Sequence, residues 1–476
     1  MTKMRFSIEG KSDMFKKSIK KVSAVILALI MVAAFMPAMS FADSTLPSSY
    51  DLRNVDGKCY VTPVKMQGDC WAFATIGAIE SAAIKAGLAD TSVDYSEAYL
   101  EYFTYHGYID DKTSPYYGDG ENFDKPFDGV GTGGLPDYIG LISSRAGIAD
   151  ESEYPFALNS QGWMDESCKN TMLQYFTDKP ELRYIKNKVA VKSITQVINA
   201  STSSETNRNA VKQALIKNGN ADINFYYGND SEMSNIDGHW SYYSKNDGYE
   251  YHVVDIVGWD DNYDSKYFGS NNPGKNGAWL CKNSWGKQFG ENGYFWLSYY
   301  VPTVSEVYSY AVEPFDKYDD MLSYNGGGYS YKEMYSSKNT IYEGNIFKAE
   351  NNEYLTAVAL NSLNIDAAYT IKVYSSSSKM NKPDRGKLIY TQSGNMNKAE
   401  YKSIPLKKKI SLDKGKYFSI IVKYKCNNCF KFILEKGVNN SSYGRSFYST
   451  DGIKWKDCAK ADMGDRYIKA LVNYRN

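Results

Sequence analysis

The 476-residue chain carries 55 basic and 55 acidic side chains, and 43% of its residues are hydrophobic. This length is enough for two or three ordinary domains, and the hydrophobic content supports substantial cores, so the composition excludes a disordered chain. The balanced charge offers no basic patch, and we therefore expect no nucleic-acid partner. Seven cysteines are few for a chain of this size, which excludes a disulfide scaffold.

The first 42 residues have the pattern of a secretory signal peptide. Residues 1–21 contain seven basic and two acidic side chains, an apolar run follows from Val22 to Met39, and Ser40-Phe41-Ala42 offers a small-residue cleavage site. An uncleaved anchor helix is the alternative, but it needs about 20 apolar residues and Pro37 interrupts this run. We expect cleavage after Ala42 and no stable membrane span in the mature chain.

The stretch from Gln67 to Ser81 predicts a nucleophile on a buried helix. Apolar residues leave almost no polar face from Trp71 to Ile84, so this helix should pass through a core rather than lie on a surface. Asp69 is a fair N-cap and places Cys70 at the first helical position, where the helix dipole favours a thiolate over a thiol. Packing is the alternative interpretation, because an isolated cysteine in an apolar helix is usually a core residue.

Two downstream motifs supply a base for this cysteine and a group that orients the base. His252 opens an apolar run from Val253 to Trp259, which places the histidine at a strand end facing a cleft. Asn283 lies in an Asn-Ser-Trp-Gly motif, and cysteine, histidine and asparagine together make a catalytic triad. His239 is the alternative base, but no apolar strand follows it, and His106 lies in a polar stretch where a surface position is favoured.

Three ordered motifs resemble the papain family of cysteine proteases. They are Gln67-Gly68-Asp69-Cys70-Trp71-Ala72-Phe73-Ala74, His252 with Val257-Gly258-Trp259, and Asn283-Ser284-Trp285-Gly286. The resemblance implies an α+β, two-lobed papain-like fold, with the helix of Cys70 in a helical lobe and His252 and Asn283 in a β-barrel-like lobe. It also implies that Trp285 shields the histidine–asparagine hydrogen bond and lies beside the bound substrate, and that the reaction needs no cofactor and no metal.

The resemblance further implies the residues that bind substrate. Gly133 and Gly134 correspond to a shelf where an extended peptide pairs as an added strand, because glycine lets another backbone approach closely. A simple turn is the alternative for this glycine pair. Leu135, Pro136 and Val253 match the walls of the family's main pocket, and they should select an apolar side chain two residues before the scissile bond.

Gln67 departs from the family pattern. The family's glutamine, which donates to the oxyanion, lies six residues before the cysteine, whereas Gln67 precedes Cys70 by only three. We expect that the turn through Gly68 still brings the Gln67 side chain into the cleft, because glycine permits turn geometries closed to other residues. A weaker oxyanion hole, with the Cys70 backbone amide as its main donor, is the alternative.

A second domain is expected after the catalytic one. Asn325-Gly326-Gly327-Gly328 indicates a linker, and at least six short strands beyond it predict an all-β sandwich. This sandwich resembles the lectin-like domain that follows papain-type domains in secreted or surface proteases of clostridia and their relatives. The predicted division is a signal peptide at 1–42, a papain-like peptidase domain at 43–318 that folds and cleaves small peptides alone, and a lectin-like domain at 323–476.

The cysteine count leaves the disulfide pattern open. Seven is odd, which fits one catalytic thiol and up to three bridges. Cys426 and Cys429 have zinc or redox spacing, but a single pair without nearby histidines favours structural or bridged cysteines. We therefore expect no metal site.

These features predict a secreted or cell-surface endopeptidase that hydrolyses peptide bonds through Cys70, His252 and Asn283. Its expected partners are a protein or peptide substrate and, through the lectin-like domain, a surface glycan. Two other functions stay open. One is a cell-wall amidase with a Cys-His pair, which the Asn-Ser-Trp-Gly motif and the glycine pair disfavour. The other is a surface binding protein whose C-terminal module is the working part, which the presence of all three triad residues disfavours.

Overall fold

The computed structural model describes residues 46–66, 69–105, 147–161, 164–179, 182, 188–228, 230–246, 248, 251–324, 331–427, 430–435, 443–461 and 463–475. Within these ranges lie the helices α1 (Cys70–Lys85), α2 (Glu97–Tyr105), α3 (Glu166–Thr177) and α4 (Glu205–Asn218). The first strands are β1 (Ser49–Asp51), β2 (Val189–Ile198), β3 (Ala221–Tyr226), β4 (Met233–Ile236), β5 (His239–Tyr242), β6 (Tyr251–Asp260), β7 (Ala278–Lys282), β8 (Tyr294–Ser298) and β9 (Val304–Pro314). The later strands are β10 (Asp320–Leu322), β11 (Tyr331–Ser336), β12 (Thr340–Lys348), β13 (Glu353–Ser362), β14 (Ala367–Ser376), β15 (Lys387–Met396), β16 (Glu400–Leu412), β17 (Tyr417–Lys425), β18 (Phe430–Glu435), β19 (Ser446–Ser449), β20 (Lys456–Asp457) and β21 (Ile468–Tyr474).

Helix α1 passes through a core, as its apolar sequence predicts. Every residue from 71 to 83 is buried. The helix ends at Lys85, and Gly87 just beyond it adopts a φ of 72° that lets the N–H of Leu88 donate to the carbonyl of Ala83 at 2.9 Å. Asp69 occupies the N-cap position, but its side chain makes no capping hydrogen bond, so the predicted side-chain cap is wrong.

One large sheet carries the strands around which the site is built. Its order is β10-β21-β13-β16-β2-β9-β3-β6-β7-β8-β5-β4, with β1 paired to β6. Helix α1 packs on β6 and β9. Alternation along β6 places Val253 in the core of α1 and Val254 in the core on the other side, which also holds β7, β8 and α4. Strand β6 therefore lies between two cores, one helical and one mainly of strands.

A second sheet completes an all-β region at the C-terminal end. Its order is β15-β14-β17-β12-β19-β20, and β11 pairs separately with β18. Buried residues from this sheet and from β13, β16 and β21 of the large sheet form one core. The prediction of an α+β region followed by an all-β sandwich is confirmed.

The large sheet runs from the α+β region into the sandwich without a break. Residues 400–402 of β16 pair antiparallel with residues 193–195 of β2. Four side chains of the sandwich belong to the same core as α1, and these are Ala357, Ala359, Tyr401 and Leu471. We call the β2–β16 pairing together with these four side chains the seam. From Ser48 on, the described residues form one compact unit.

Two predicted features lie outside the described residues, namely the signal peptide at 1–42 and the linker at 325–328. In the part of the chain that the structure covers, no helix has the length and apolar character needed to cross a membrane.

Candidate active site

Cys70 opens α1 and lies against the start of β6. Its side chain is partly buried, and a backbone hydrogen bond from Val253 reaches the thiol. Because Val253 directly follows His252, this contact brings the cysteine beside the histidine-bearing end of β6. The structure therefore places Cys70 and His252 on facing elements at one end of the cleft.

His252 is held by Asn283, which follows β7. The His252 Nε2 atom lies 3.0 Å from Asn283 Oδ1, and the Ser284 N–H donates to the same oxygen at 2.8 Å. The backbone N–H of Asn283 donates to the carbonyl of Gly293 at 2.9 Å, which fixes the asparagine from behind. Because the amide oxygen of Asn283 accepts hydrogen bonds, the proton of the neutral imidazole is assigned to Nε2. Nδ1 of the ring is then left for the cysteine.

Aromatic rings enclose the imidazole of His252, which is only 5% exposed. Trp285 stacks on it with ring centroids 4.6 Å apart and an interplanar angle of 23°. Tyr227 and Phe225 lie at 5.6 and 5.9 Å. The sequence motifs did not identify Phe225 or Tyr227, because these residues reach the histidine through the pairing of β3 with β6.

Burial disfavours each single charge at this site. It raises the pKa of the Cys70 thiol, with the Asp69 carboxylate adding to the effect, and it lowers the pKa of His252 to about 4 against the Asn283 hydrogen bond. The backbone amides at the helix start do favour the thiolate, as predicted, but desolvation outweighs them. A thiolate and an imidazolium that form together offset this desolvation for one another.

A small cavity of about 20 Å³ lies between α1 and the ends of β6 and β7. Its lining includes Cys70, Phe73, Gly77, Val253, Asp255 and Asn283. Val253 is 3% exposed, so the structure places this predicted pocket residue beside Cys70 but mostly inside the core. The cavity therefore connects the nucleophile with buried polar groups that the sequence motifs did not predict.

The structure brings together Cys70, His252, Asn283, Trp285 and Val253 among the predicted site residues. The other predicted residues lie outside the described part of the chain, and these are Gln67, Gly133, Gly134, Leu135 and Pro136. The alternative base His239 lies on β5, where its ring stacks on Tyr267 at 3.9 Å. The remaining histidine, His106, lies outside the described residues.

Five of the described cysteines are free thiols, and these are Cys59, Cys70, Cys168, Cys281 and Cys458. Cys429 lies outside the described residues. Cys426 is buried in the sandwich core. Within the described ranges, no group of three or more His, Cys, Asp or Glu side chains is placed to hold a metal ion.

Two family models match the chain. Residues 46–315 match the papain family cysteine protease model, and residues 322–472 match the lectin like domain model. Mouse pro-cathepsin H is 29% identical over 261 residues, which cover 52% of this chain and 59% of the relative. Peptidase 1 of Dermatophagoides farinae is 26% identical over 255 residues, which cover 52% of this chain and 60% of the relative. The chain thus spans about three fifths of these curated relatives.

Solved structures show the same fold. The clostridial cysteine protease Cwp84 after propeptide cleavage matches with a TM-score of 0.68 at 22% identity, over 90% of this chain and 100% of that one. A structure of the protease and lectin-like domains of Cwp84, described as a surface layer associated protein of Clostridium difficile, matches with a TM-score of 0.67 at 22% identity, over 90% of this chain and 89% of that one. These matches confirm the predicted papain-like fold followed by a lectin-like all-β domain. Because its protease model spans more than half of the chain, the chain belongs to the papain family of cysteine proteases and carries a lectin-like domain behind the protease domain.

Proposed function

We propose that the chain is a secreted or cell-surface endopeptidase that hydrolyses peptide bonds through Cys70, His252 and Asn283. The observation that carries the proposal is the 3.0 Å hydrogen bond between His252 Nε2 and Asn283 Oδ1, enclosed by aromatic rings. This bond fixes the imidazole with Nδ1 available, and the residue that follows His252 contacts the thiol of Cys70. A nucleophile, a base and a group that orients the base are the three parts of a covalent hydrolase.

The first half of the reaction transfers the acyl group to sulfur. His252 Nδ1 takes the thiol proton, and Cys70 Sγ attacks the carbonyl carbon of the scissile peptide bond. His252 then gives that proton to the departing nitrogen, the C–N bond breaks, and the amine product leaves a thioester on Cys70. Because the proton passes from sulfur to the leaving amine, this step needs no external acid.

The second half of the reaction returns the enzyme to its starting state. His252 takes a proton from water, and the resulting hydroxide attacks the thioester carbonyl carbon. The C–S bond breaks, the acid product leaves, and Cys70 recovers its proton from His252. One base therefore serves both halves, which requires that Asn283 hold the ring in one orientation.

The neighbouring groups stabilise the charges that form during these steps. Trp285 excludes water from the His252–Asn283 bond, and a lower local dielectric strengthens the attraction between thiolate and imidazolium. The backbone N–H of Cys70 lies in the first turn of α1, where amides have no partner within the helix, so it is one donor for the oxyanion. We propose the Gln67 side chain as the second donor.

We also carry the family's substrate contacts onto this chain as proposals. Gly133 and Gly134 form the shelf on which an extended peptide pairs, and Leu135, Pro136 and Val253 line the pocket for the second residue before the scissile bond. Trp285 borders the leaving-group side of the site, because it stacks on the histidine that protonates the leaving amine. A peptide library with a preference for a charged residue in the pocket would contradict this assignment.

We propose further that residues 1–42 direct export and that the lectin-like domain holds the enzyme on a surface glycan. The apolar run with its cleavage site supports export, and the lectin like domain model over residues 322–472 supports the glycan partner. A glycan array probed with the full-length Cys70→Ala variant measures this binding. The proposal predicts selective binding to a few glycans, and uniform background on the array contradicts it.

The hydrolysis of casein and of a short fluorogenic peptide measures the proposed activity. We expect Cys70→Ala and His252→Ala each to lower kcat/KM by at least about 1,000-fold, because neither group replaces the other. The matched controls are Cys59→Ala, at an exposed cysteine, and His239→Ala, at the histidine on β5, and both should stay within about twofold of the parent. Activity retained within tenfold in either test variant contradicts the mechanism.

A further inference from the structure

Three charged residues form a row across the sheet beneath the catalytic helix. In the strand registers, Asp222 of β3 lies opposite Asp255 of β6, and Asp255 lies opposite Lys282 of β7. Asp255 follows His252 by three residues on β6, and Lys282 directly precedes Asn283. Two of the three residues in the row therefore lie on the strands that position the base and its orienting amide.

Helix α1 touches this row through a glycine. A Cβ atom at Gly77 would collide with the carboxylate of Asp255 and lie 3.4 Å from Lys282 Nζ. Glycine inside a helix is less favourable than alanine by about 1 kcal/mol. The close approach of Asp255 explains why this position is a glycine.

Carboxylates outnumber cations among the groups around Asp255. Asp222, Glu80 of α1 and Glu97 of α2 all raise the pKa of Asp255, and Lys282 is the cation that opposes them. These four carboxyl groups are at most 6% exposed. Lys282 Nζ donates its described hydrogen bond to Thr62 at 3.0 Å rather than to Asp255.

The second nearby cation is already occupied by other carboxylates. Lys65 Nζ lies 2.6 Å from Glu97, 2.6 Å from Asp94 and 3.5 Å from Glu80. From β9, Tyr310 donates to Asp222 Oδ2 at 2.6 Å. Cys281 of β7 lies in the core on the other side of the sheet, where burial raises the pKa of its thiol and a charge on Asp255 adds to the effect.

Asp255 is therefore a buried acid whose facing cation, Lys282, is hydrogen-bonded to Thr62. Its Oδ1 atom makes no hydrogen bond to any described residue. Burial raises the pKa of Asp255 well above its usual range, against the opposing effect of Lys282, because a carboxyl group in a medium of low dielectric is more stable neutral than charged. Burial also raises the pKa of Asp222 to about 7. Burial therefore favours the neutral form of Asp255, which lies close to α1 without repulsion.

We propose that Asp255 is a positioning residue of the active site, whose neutral carboxyl group lets α1 pack against β6 at Gly77. At alkaline pH, ionised Asp255 repels Asp222 and Glu80 in a medium of low dielectric. This repulsion moves α1 away from the sheet, and Cys70 therefore moves away from His252. The effect acts through packing and not through the charge of Asp255 on the imidazole. Burial lowers the pKa of His252 and the hydrogen bond to Asn283 raises it, and Asp255 is not among the causes. The inference rests on the proposed peptidase function.

The first test compares pH profiles of kcat/KM on a short peptide substrate. Asp255→Asn keeps the shape of the side chain but cannot ionise, so its kcat/KM at pH 6 should stay within about threefold of the parent. Its alkaline limb should move upward by at least about 0.5 pH unit, and Asp222→Asn should move it the same way. The matched control is Glu353→Gln on β13, which removes another buried acid whose pKa is raised to about 7 and should leave the limb in place.

The second test does not depend on activity. Hydrogen-exchange protection factors of amides in α1 should fall between pH 6 and pH 9 in the parent and stay constant in Asp255→Asn. If the protection factors change in this way but the protein hydrolyses no peptide, the positioning role is supported and the proposed function is refuted. Hydrolysis with an unmoved alkaline limb and unchanged protection in both Asp255→Asn and Asp222→Asn would overturn the inference. If Asp255→Asn does not fold, the pH profile and the protection factors of Asp222→Asn decide whether the inference holds.

Discussion

The active-site cleft and the seam are built in different ways, although the same sheet passes through both. In the cleft, single side chains set the geometry, as in the hydrogen bond from His252 to Asn283 and the stacking of Trp285. In the seam, backbone pairing sets the geometry, and small or flat side chains such as Ala359 and Tyr401 support it.

This difference separates what a substitution changes in each region. A single change in the cleft removes a catalytic contact and leaves the core intact, so we expect a large loss of rate with little loss of stability. A single change in the seam removes one part of a distributed contact, so we expect a loss of stability with little change in the chemistry of the folded protein. Removal of a whole side of the seam should lower both the stability and the activity of the protein.

The largest effect should come from removing the sandwich. The sequence predicts that residues 43–318 fold and cleave small peptides alone, but β2 would then lose its partner β16, and the core of α1 would lose four buried side chains. We therefore expect this fragment to be insoluble or to show no cooperative unfolding. A soluble fragment with kcat/KM within threefold of the full chain would show that the seam is dispensable.

Among the proposed catalytic groups outside the triad, Gln67 should give the largest effect when it is changed to alanine. Loss of one oxyanion donor costs roughly 100 to 1,000-fold in turnover. Single-turnover acylation of an amide substrate measures the effect, with unchanged thermal stability as the control. A change under threefold would mean that Gln67 is structural and that the second donor lies elsewhere.

In the seam, Tyr401→Ala should lower stability and leave catalysis almost unchanged. Tyr401 is 2% exposed within the core of α1, and loss of a large buried side chain costs about 3–5 kcal/mol. Calorimetry should show one transition at a lower Tm, because the protease and lectin-like regions unfold together. The matched control is Tyr443→Ala, whose ring is 70% exposed on the sandwich. Two separate transitions would contradict a shared core.

The smallest effect concerns the pH dependence of stability. The pKa of Asp222 is raised to about 7 by burial, so the folded protein binds a proton that the unfolded chain releases above about pH 4. This contribution to stability is complete below pH 4 and is lost as the pH rises through about 7. Urea unfolding of Asp222→Asn should therefore show a smaller decline between pH 5 and pH 8 than the parent does. Equal declines would contradict a buried, protonated Asp222.

Sequence analysis predicted the parts of the cleft that local motifs encode. It identified the buried helix of Cys70, the strand that His252 opens, and the motif that holds Asn283. Each of these features depends on residues a few positions apart, where apolar periodicity and glycine carry a clear signal. The all-β character of the C-terminal region was predictable for the same reason.

The remaining features depend on contacts between distant residues. The pairing of Thr195 with Glu400 leaves no motif in either strand, so the seam could not be predicted. Tyr227 reaches His252 only because β3 and β6 are neighbours. Asp255 carried one local signal, an acid within the apolar run that starts at Val253, but its contact with Gly77 required the packed helix.

The central claim is that His252 activates Cys70, and labelling with a thiol-directed peptidyl epoxide tests it most directly. Mass spectrometry should find one adduct, on Cys70, in the parent, and the labelling rate in His252→Ala should fall by at least about 100-fold. Cys59 is an exposed free thiol without a histidine partner and serves as the internal control. Labelling of Cys59 as fast as Cys70, or equal labelling of Cys70 in His252→Ala, would contradict the mechanism.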